Sequence, residues 1–171
     1  MKVEQEYSGI LIDAPRFEFT KDAPEEVQKL GLPVRKTIGS AGYDFVSPYD
    51  IAIPPHGTAQ FKTYVKAYIP TNLVLILVPR SSTGMKKRLS LANTVGVIDS
   101  DYYNNPTTDG NIGVLLVNNS DETKILSRGE AFMQGIFMQY FTTADDDAQG
   151  VRIGGIGSTD AAEIEVAIPV G

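Results

Sequence analysis

The sequence contains no cysteine. That excludes disulfides, thiolate metal sites and a cysteine nucleophile, while leaving the compartment open. It contains one histidine, His56, within "PPHG". A lone imidazole has no second histidine to share a metal or relay a proton, and its surroundings read as a turn. Positive charge is in short supply: 15 Lys and Arg stand against 21 Asp and Glu, for a net charge of −6 and a pI near 4.7. Such a surface argues against sequence-independent binding to a nucleic-acid backbone, which needs clustered cations. A small anionic ligand remains open, since one arginine and a few backbone amides suffice to hold it. Long apolar runs are also missing. The longest, "LVLILV" from Leu73 to Val78, is far too short to span a bilayer. The N-terminal "MKVEQEYSGILID" lacks the apolar core of a signal peptide. The expectation is a soluble, cytoplasmic protein with no membrane or nucleic-acid partner.

What is present fits one folded domain. The chain has 171 residues, 42% hydrophobic and 21% charged, enough apolar material for a core. Short apolar or alternating stretches recur: "FVSPYDIAIP", "TAQFKTYVKAYIP", "NLVLILVPR", "NIGVLLVNN", "EAFMQGIFMQYF" and "EIEVAIPV". Each reads as strand, and Pro54-Pro55-His56-Gly57, Pro70, Asp109-Gly110, 118–121 and Arg128-Gly129 separate them. That rhythm predicts an all-β sandwich or barrel, not βαβ units. One short helix is expected in "DAPEEVQKLG", with Asp22 as N-cap and Gly31 as stop, and a second segment in "SSTGMKKRLSL". There is no internal repeat. "TTADDDAQGVRIGGIGSTD" is polar and glycine-rich and reads as a linker or tail.

Four small clusters carry chemistry. "SAGYDF" sets Asp44 at the start of a strand. "PRSSTG" puts Arg80, Ser81 and Ser82 at the end of the most apolar strand, a combination of guanidinium, hydroxyls and turn amides suited to phosphate. "GVIDSDYYNN" ends an apolar run on the carboxylate of Asp99. "RIGGIGST" supplies Arg152 and glycines that let backbone approach a phosphate closely. Taken singly, each has a bland reading: a turn aspartate, a solvated strand-end arginine, an ordinary β-turn, a flexible tail. Their joint order and spacing favour a site.

In that order and spacing the chain resembles the trimeric dUTP pyrophosphatases (dUTPases). Their five motifs look like "SAGYDF", "PRSSTG", "NTVGVIDSDYYNN", "RGEAFMQGIF" and "RIGGIGSTD" here, from about Gly39 to Asp160. The longer loop "DYYNNPTTDGNIG" is similar to forms in Gram-positive bacteria and their phages. The resemblance implies a jelly-roll-like β-barrel in a homotrimer, with short helical segments and a mobile C-terminal arm. The corresponding division is a barrel domain over 1–147, the arm over 148–160 and an extension over 161–171.

The resemblance also implies roles. The family hydrolyses dUTP to dUMP and pyrophosphate with Mg²⁺. Asp99 matches the aspartate that deprotonates the attacking water, and Tyr102, not Tyr103, the tyrosine that packs under deoxyribose. Asn93, Gly96, Val97 and Ile98 match the uracil hairpin. Arg80, Ser81, Ser82 and Gln134 match the phosphate contacts, and Asp44 an aspartate that approaches Mg²⁺ through water. Arg152, Gly155, Ile156, Gly157, Ser158 and Thr159 match the closing arm. In the family the sites lie between subunits: one gives motifs one, two and four, another the hairpin, the third the arm.

This sequence departs from the pattern in places. Ile156 stands where an aromatic usually stacks on uracil, and Arg152 lies one residue closer to the glycines. Ala131 and Met133 stand where Arg and Ala are frequent, and 161–171 extend past the fifth motif. Two other readings stay open. A dCTP deaminase on the same fold needs a glutamate signature that is not evident. A regulatory protein using dUTP as a switch would take a host protein as partner.

Overall fold

The computed structural model describes residues 4–7, 10–150 and 152. Thirteen strands run through them: β1 (Glu4–Tyr7), β2 (Ile10–Asp13), β3 (Arg16–Phe19), β4 (Tyr43–Val46), β5 (Ile51–Ile53), β6 (Thr58–Lys62), β7 (Val65–Tyr68), β8 (Leu73–Pro79), β9 (Leu89–Leu91), β10 (Gly96–Ile98), β11 (Gly113–Asn118), β12 (Lys124–Leu126) and β13 (Ala131–Gln139). Two short helices, α1 (Glu25–Gln28) and α2 (Ser81–Met85), and a 3₁₀ turn at Ser100–Tyr102 complete them. The all-β expectation holds.

Every strand pairing is antiparallel. One sheet has the order β10-β8-β13-β4, a second β6-β11-β9, and three strand pairs, β12-β5, β3-β7 and β1-β2, complete the set. The core lies between sheets. β8 alternates, turning Leu75 and Leu77 inward at 0% and 3% exposure, onto Phe45, Leu116, Leu126 and Phe132. Burying side chains of this size contributes about 1.5–3 kcal/mol each. β13 departs from strict alternation. Its register with β4 shifts between Ala131 and Met133, and adjacent Phe132 and Met133 are both fully buried. A bulge places two successive side chains on the core side.

The five expected strand stretches that lie among the described residues each contain strands, with breaks. "TAQFKTYVKAYIP" divides into β6 and β7 around Tyr64, whose φ of 60° cannot continue a strand. β1, β2, β3, β9, β10 and β12 lie outside the predicted stretches. Each has at most four residues, too short for a periodicity to register. The predicted strand over 163–170 lies outside the described residues. α1 is shorter than its pattern, and Asp22 is not its cap. Pro24 holds that position with no side-chain cap hydrogen bond. The Asp22 carboxylate instead accepts from Thr20 Oγ1 at 2.7 Å and Lys62 Nζ at 2.8 Å. Gly31 does follow the helix, at φ 83°. Among the described residues no helix is long and apolar enough to cross a membrane.

Candidate functional site

β8 organises the predicted site residues, because they gather at its two ends. At the C-terminal end, Pro79 leads into Arg80, whose extended backbone (φ −67°, ψ 152°) starts α2. Ser81 is exposed and Ser82 half-buried in the first turn of that helix. The Arg80 amide donates to Phe132 O at 2.9 Å, which ties it to β13. Its side chain reaches Asp44 on β4, Nε to Oδ1 at 3.1 Å. Asp44 is 7% exposed, and its second oxygen, Oδ2, is buried without a hydrogen-bond partner among the described residues. Gln134 pairs in register with Asp44 across β13 and β4. Gly42 lies directly beneath it: a Cβ there would collide with Gln134 Oε1. The first, second and fourth motifs thus meet in one packed corner. Met133, buried beside Gln134, fills the position noted as unusual in the sequence.

At the other end, β10 lies along β8 with Gly96 opposite Leu77 and Ile98 opposite Leu75. Gly96 suits that approach, since a Cβ would lie 3.0 Å from the Leu77 Cβ and press on that side chain. Asp99 comes next and opens the 3₁₀ turn, with Tyr102 N donating to Asp99 O at 3.2 Å. The predicted hairpin before Asp99 takes a particular form. β9 and β10 are joined by a tight turn, with Val95 N on Asn93 O at 2.6 Å and Thr94 at φ 63°. They belong to different sheets, however, β9 pairing with β11 and β10 with β8. The connection therefore bridges two sheets and opens a wedge between them.

That wedge is a cleft of about 700 Å³ lined by Asn93, Gly96, Val97, Ile98, Asp99, Tyr102 and Arg152. Its far wall is β6 and β11 with the loop between Tyr102 and Gly113, including Gln60, Lys62, Thr108 and Asn111. Sequence reasoning did not select those four. Gln60 and Lys62 occupy the outward positions of β6, which alternation along "TAQFK" marks. Tyr102 and Tyr103 part company here. The Tyr102 ring lines the cleft and its hydroxyl donates to Asn111 O at 2.9 Å. Tyr103 turns away, donating to Glu18 Oε2 at 2.8 Å and packing edge-on against Tyr68.

Of the predicted arm, residues 148–150 and Arg152 are described, and Arg152 is the one that reaches the cleft. Its Nη2 lies 2.6 Å from Asp99 Oδ2 and its Nε 2.9 Å from Asp101 Oδ1. Asp101 was another residue the sequence reading passed over. Gly155, Ile156, Gly157, Ser158 and Thr159 lie outside the described residues. The two groups do not meet within one chain. Asp99 follows the partner of Leu75, whereas Arg80 follows the far end of β8. At about 3.3 Å per residue, roughly 20 Å of strand separates them.

An antiparallel β-fold with a carboxylate and a tyrosine in one cleft defines a class of small-ligand binding protein. Comparison with known proteins is more specific. A family model described as dUTPase matches residues 28–159. The deoxyuridine 5′-triphosphate nucleotidohydrolase of Lactococcus lactis is 40% identical over 134 residues, spanning 77% of this chain and 89% of that protein. The mitochondrial enzyme of the same name from Dictyostelium discoideum is 34% identical over 156 residues, 85% of this chain and 79% of that protein. The crystal structure of dUTPase from Streptococcus mutans superposes with a TM-score of 0.67 at 41% identity, covering 74% of this chain and 97% of that one. The chain belongs to the dUTPase family. It is an enzyme of the dUTP diphosphatase class, with the jelly-roll-like β-fold of that family.

Proposed function

We propose that the protein hydrolyses dUTP to dUMP and pyrophosphate, with Asp99 as the base that takes a proton from the water attacking the α-phosphate. The observation that carries this reading is the placement of Asp99 and Tyr102 on one wall of the cleft that also holds Asn93 and β10. A base must lie within hydrogen-bond reach of the water it activates. Phosphate-transfer chemistry otherwise rests on positioning and on neutralising charge. Uracil is read by backbone groups of Gly96, Val97 and Ile98 together with Asn93. Tyr102 packs under the deoxyribose and leaves no space for a 2′-hydroxyl. Thymine fails by clash of its methyl group, and cytosine because its donor and acceptor edge is reversed.

Arg80, Ser81, Ser82 and Gln134 bind the phosphate chain, and because their corner lies a strand's length from Asp99 they do so for a neighbouring subunit. The assembly this reading takes over from the family is a homotrimer with shared sites. Arg152 exchanges its carboxylate partners for phosphate oxygens when the arm, with Gly155, Ile156, Gly157, Ser158 and Thr159, closes. The division into barrel (1–147), arm (148–160) and extension (161–171) belongs to the same proposal. So does a cytoplasmic location.

The residues present fit Mg²⁺ carried in on the phosphates. Among the described residues no group of three or more His, Cys, Asp or Glu could form a protein cage. Asp44 offers one buried oxygen without a partner, suited to accept from a metal-bound water. When bound, the ion supplies charge neutralisation at the phosphates.

The test is pyrophosphate release from dUTP, dTTP, dCTP and UTP with Mg²⁺, for wild type and Asp99→Asn. Cleavage of dUTP alone, with a variant that binds dUTP but turns over about 10²–10⁴-fold more slowly, is the expected result. Binding of dUTP by wild type without turnover would replace the hydrolase reading with a nucleotide-sensing one.

A further inference from the structure

The loop after Tyr102 is built around a buried lysine that the hydrolytic mechanism does not use. Lys66 lies on β7 with its side chain only 6% exposed. Its ammonium donates to Asn104 Oδ1 at 2.6 Å and to Asp109 Oδ1 at 3.1 Å, and lies 5.3 Å from the centre of the Tyr103 ring. Asn104 and Asp109 both sit in the left-handed region, at φ 56° and 53°. Asn and Asp are, after glycine, among the residues that enter that conformation most readily. Here one cation holds both. Asp109 is fixed from a second side as well, its Oδ2 accepting from Lys21 N at 2.8 Å.

The consequence of this clasp falls on Tyr102. Clamping Asn104 to Asp109 folds the loop back on itself so closely that a Cβ at Gly110 would meet Tyr102 O at 2.8 Å and Asn104 N at 2.9 Å. The returning part of the loop then presents two groups to the Tyr102 hydroxyl. Asn111 O accepts from it at 2.9 Å, and Thr108 Oγ1 donates to it at 3.0 Å. The phenol is therefore held at its far end, with both donor and acceptor capacity used. The Tyr102 ring cannot swing out of the cleft wall without breaking both bonds.

We infer that Lys66 is a positioning residue for sugar selection: through Asn104 and Asp109 it locks the loop that fixes Tyr102, and so sets how strictly the site refuses a ribonucleotide. The inference rests on the proposed placement of deoxyribose against Tyr102. Its predicted signature is a change in discrimination, not a general loss of activity. A loosened ring still lets dUTP bind, but it also yields space to a 2′-hydroxyl.

The experiment compares kcat and KM for dUTP and UTP in wild type, Lys66→Met and Thr108→Val, with thermal unfolding of each. Met keeps the stem's volume and removes the charge. Thr108→Val removes one bond to the Tyr102 hydroxyl and leaves the buried lysine paired, so it reports even where Lys66→Met fails to fold. Lys66→Met is expected to lower the dUTP-to-UTP ratio of kcat/KM by about ten- to a hundredfold, because small misplacements of a positioning group carry effects of that order. Thr108→Val should lower it by less, and kcat on dUTP should change less than the ratio in both. An unchanged ratio in folded Lys66→Met, or in Thr108→Val where the lysine variant does not fold, overturns the inference. If wild type does not prefer dUTP over UTP at all, it is the placement of the sugar on Tyr102 that fails, and the role of Lys66 falls with it.

Discussion

The two ends of β8 are built on opposite plans. At the Arg80 end, polar groups are packed against one another: Asp44 is buried against the arginine, Gln134 covers Gly42, and backbone bonds tie Arg80 to β13. At the Asp99 end the same sheet gives way to a cleft, and the Asp99 and Asp101 side chains are 48% and 50% exposed. One end is a rigid receptor formed by packing. The other is an open wall whose groups are arranged by turns and a loop. The contrast teaches where tolerance should lie. Changes at the packed corner should register in stability as well as activity, and changes at the open wall in activity nearly alone.

Leu75→Ala tests the frame common to both ends. Leu75 is fully buried and pairs with Ile98 on β10 and Phe137 on β13. A loss of about 2–5 kcal/mol is expected, read from urea unfolding, with activity falling as β10 shifts. Arg80→Met comes next. It strands the Asp44 carboxylate in the interior and should cost about 1–3 kcal/mol, a loss reduced by adding Asp44→Leu, since an apolar pair can replace a buried ionic one. If Arg80→Met leaves unfolding unchanged, the packed corner is no more structural than the open wall. Arg152→Gln is its counterpart at the open end. An exposed pair contributes little, so a change under about 1 kcal/mol is expected, and a larger one would erase the contrast.

The smallest effect concerns acid. Glu18 and Asp109 both flank the loop behind Tyr102, and both titrate below their ordinary values of 4.5 and 3.8. Burial opposes their ionisation. It is outweighed for Glu18 by the Tyr103 hydroxyl and the Arg16 guanidinium, and for Asp109 by the Lys21 amide and the Lys66 ammonium. The stabilisation they give is therefore complete above those ordinary values. It is lost as the pH falls through the lowered ones. Urea midpoints measured from pH 6 down to 3 should show a decline that is shallower in Lys66→Met, in which Asp109 has lost a partner. An identical decline in both would detach the lysine from Asp109.

Much of this was legible in the residues, and the limits have physical causes. β8 and β11 were visible because their apolar runs exceed chance, and α1 because proline, two glutamates and a glycine mark its ends. Asp99 and Tyr102 stood out through the resemblance of "GVIDSDYYNN" to the family's third motif. Asp22 misled, since a capping residue and a surface ion-pair partner look alike until Lys62 is seen beside it. Gln60, Lys62 and Asn111 were missed because a cleft between two sheets is made by strands remote in sequence. Lys66 was hidden for a related reason. Nothing in "YVKAY" distinguishes a buried lysine from a solvated one; only its partners at 104 and 109 do.

With sites shared between subunits as proposed, the length of β8 has a genetic consequence. A chain with Asp99 destroyed still carries an intact Arg80 corner, and a chain with Arg80 destroyed still carries an intact Asp99 wall. Each alone would assemble into a dead enzyme. Produced together in one cell from two alleles, they would form mixed assemblies in which some neighbours meet with both intact faces. Two inactivating alleles would then complement each other, whereas a single allele bearing both lesions could not rescue itself and would weaken any healthy copy with which it assembled.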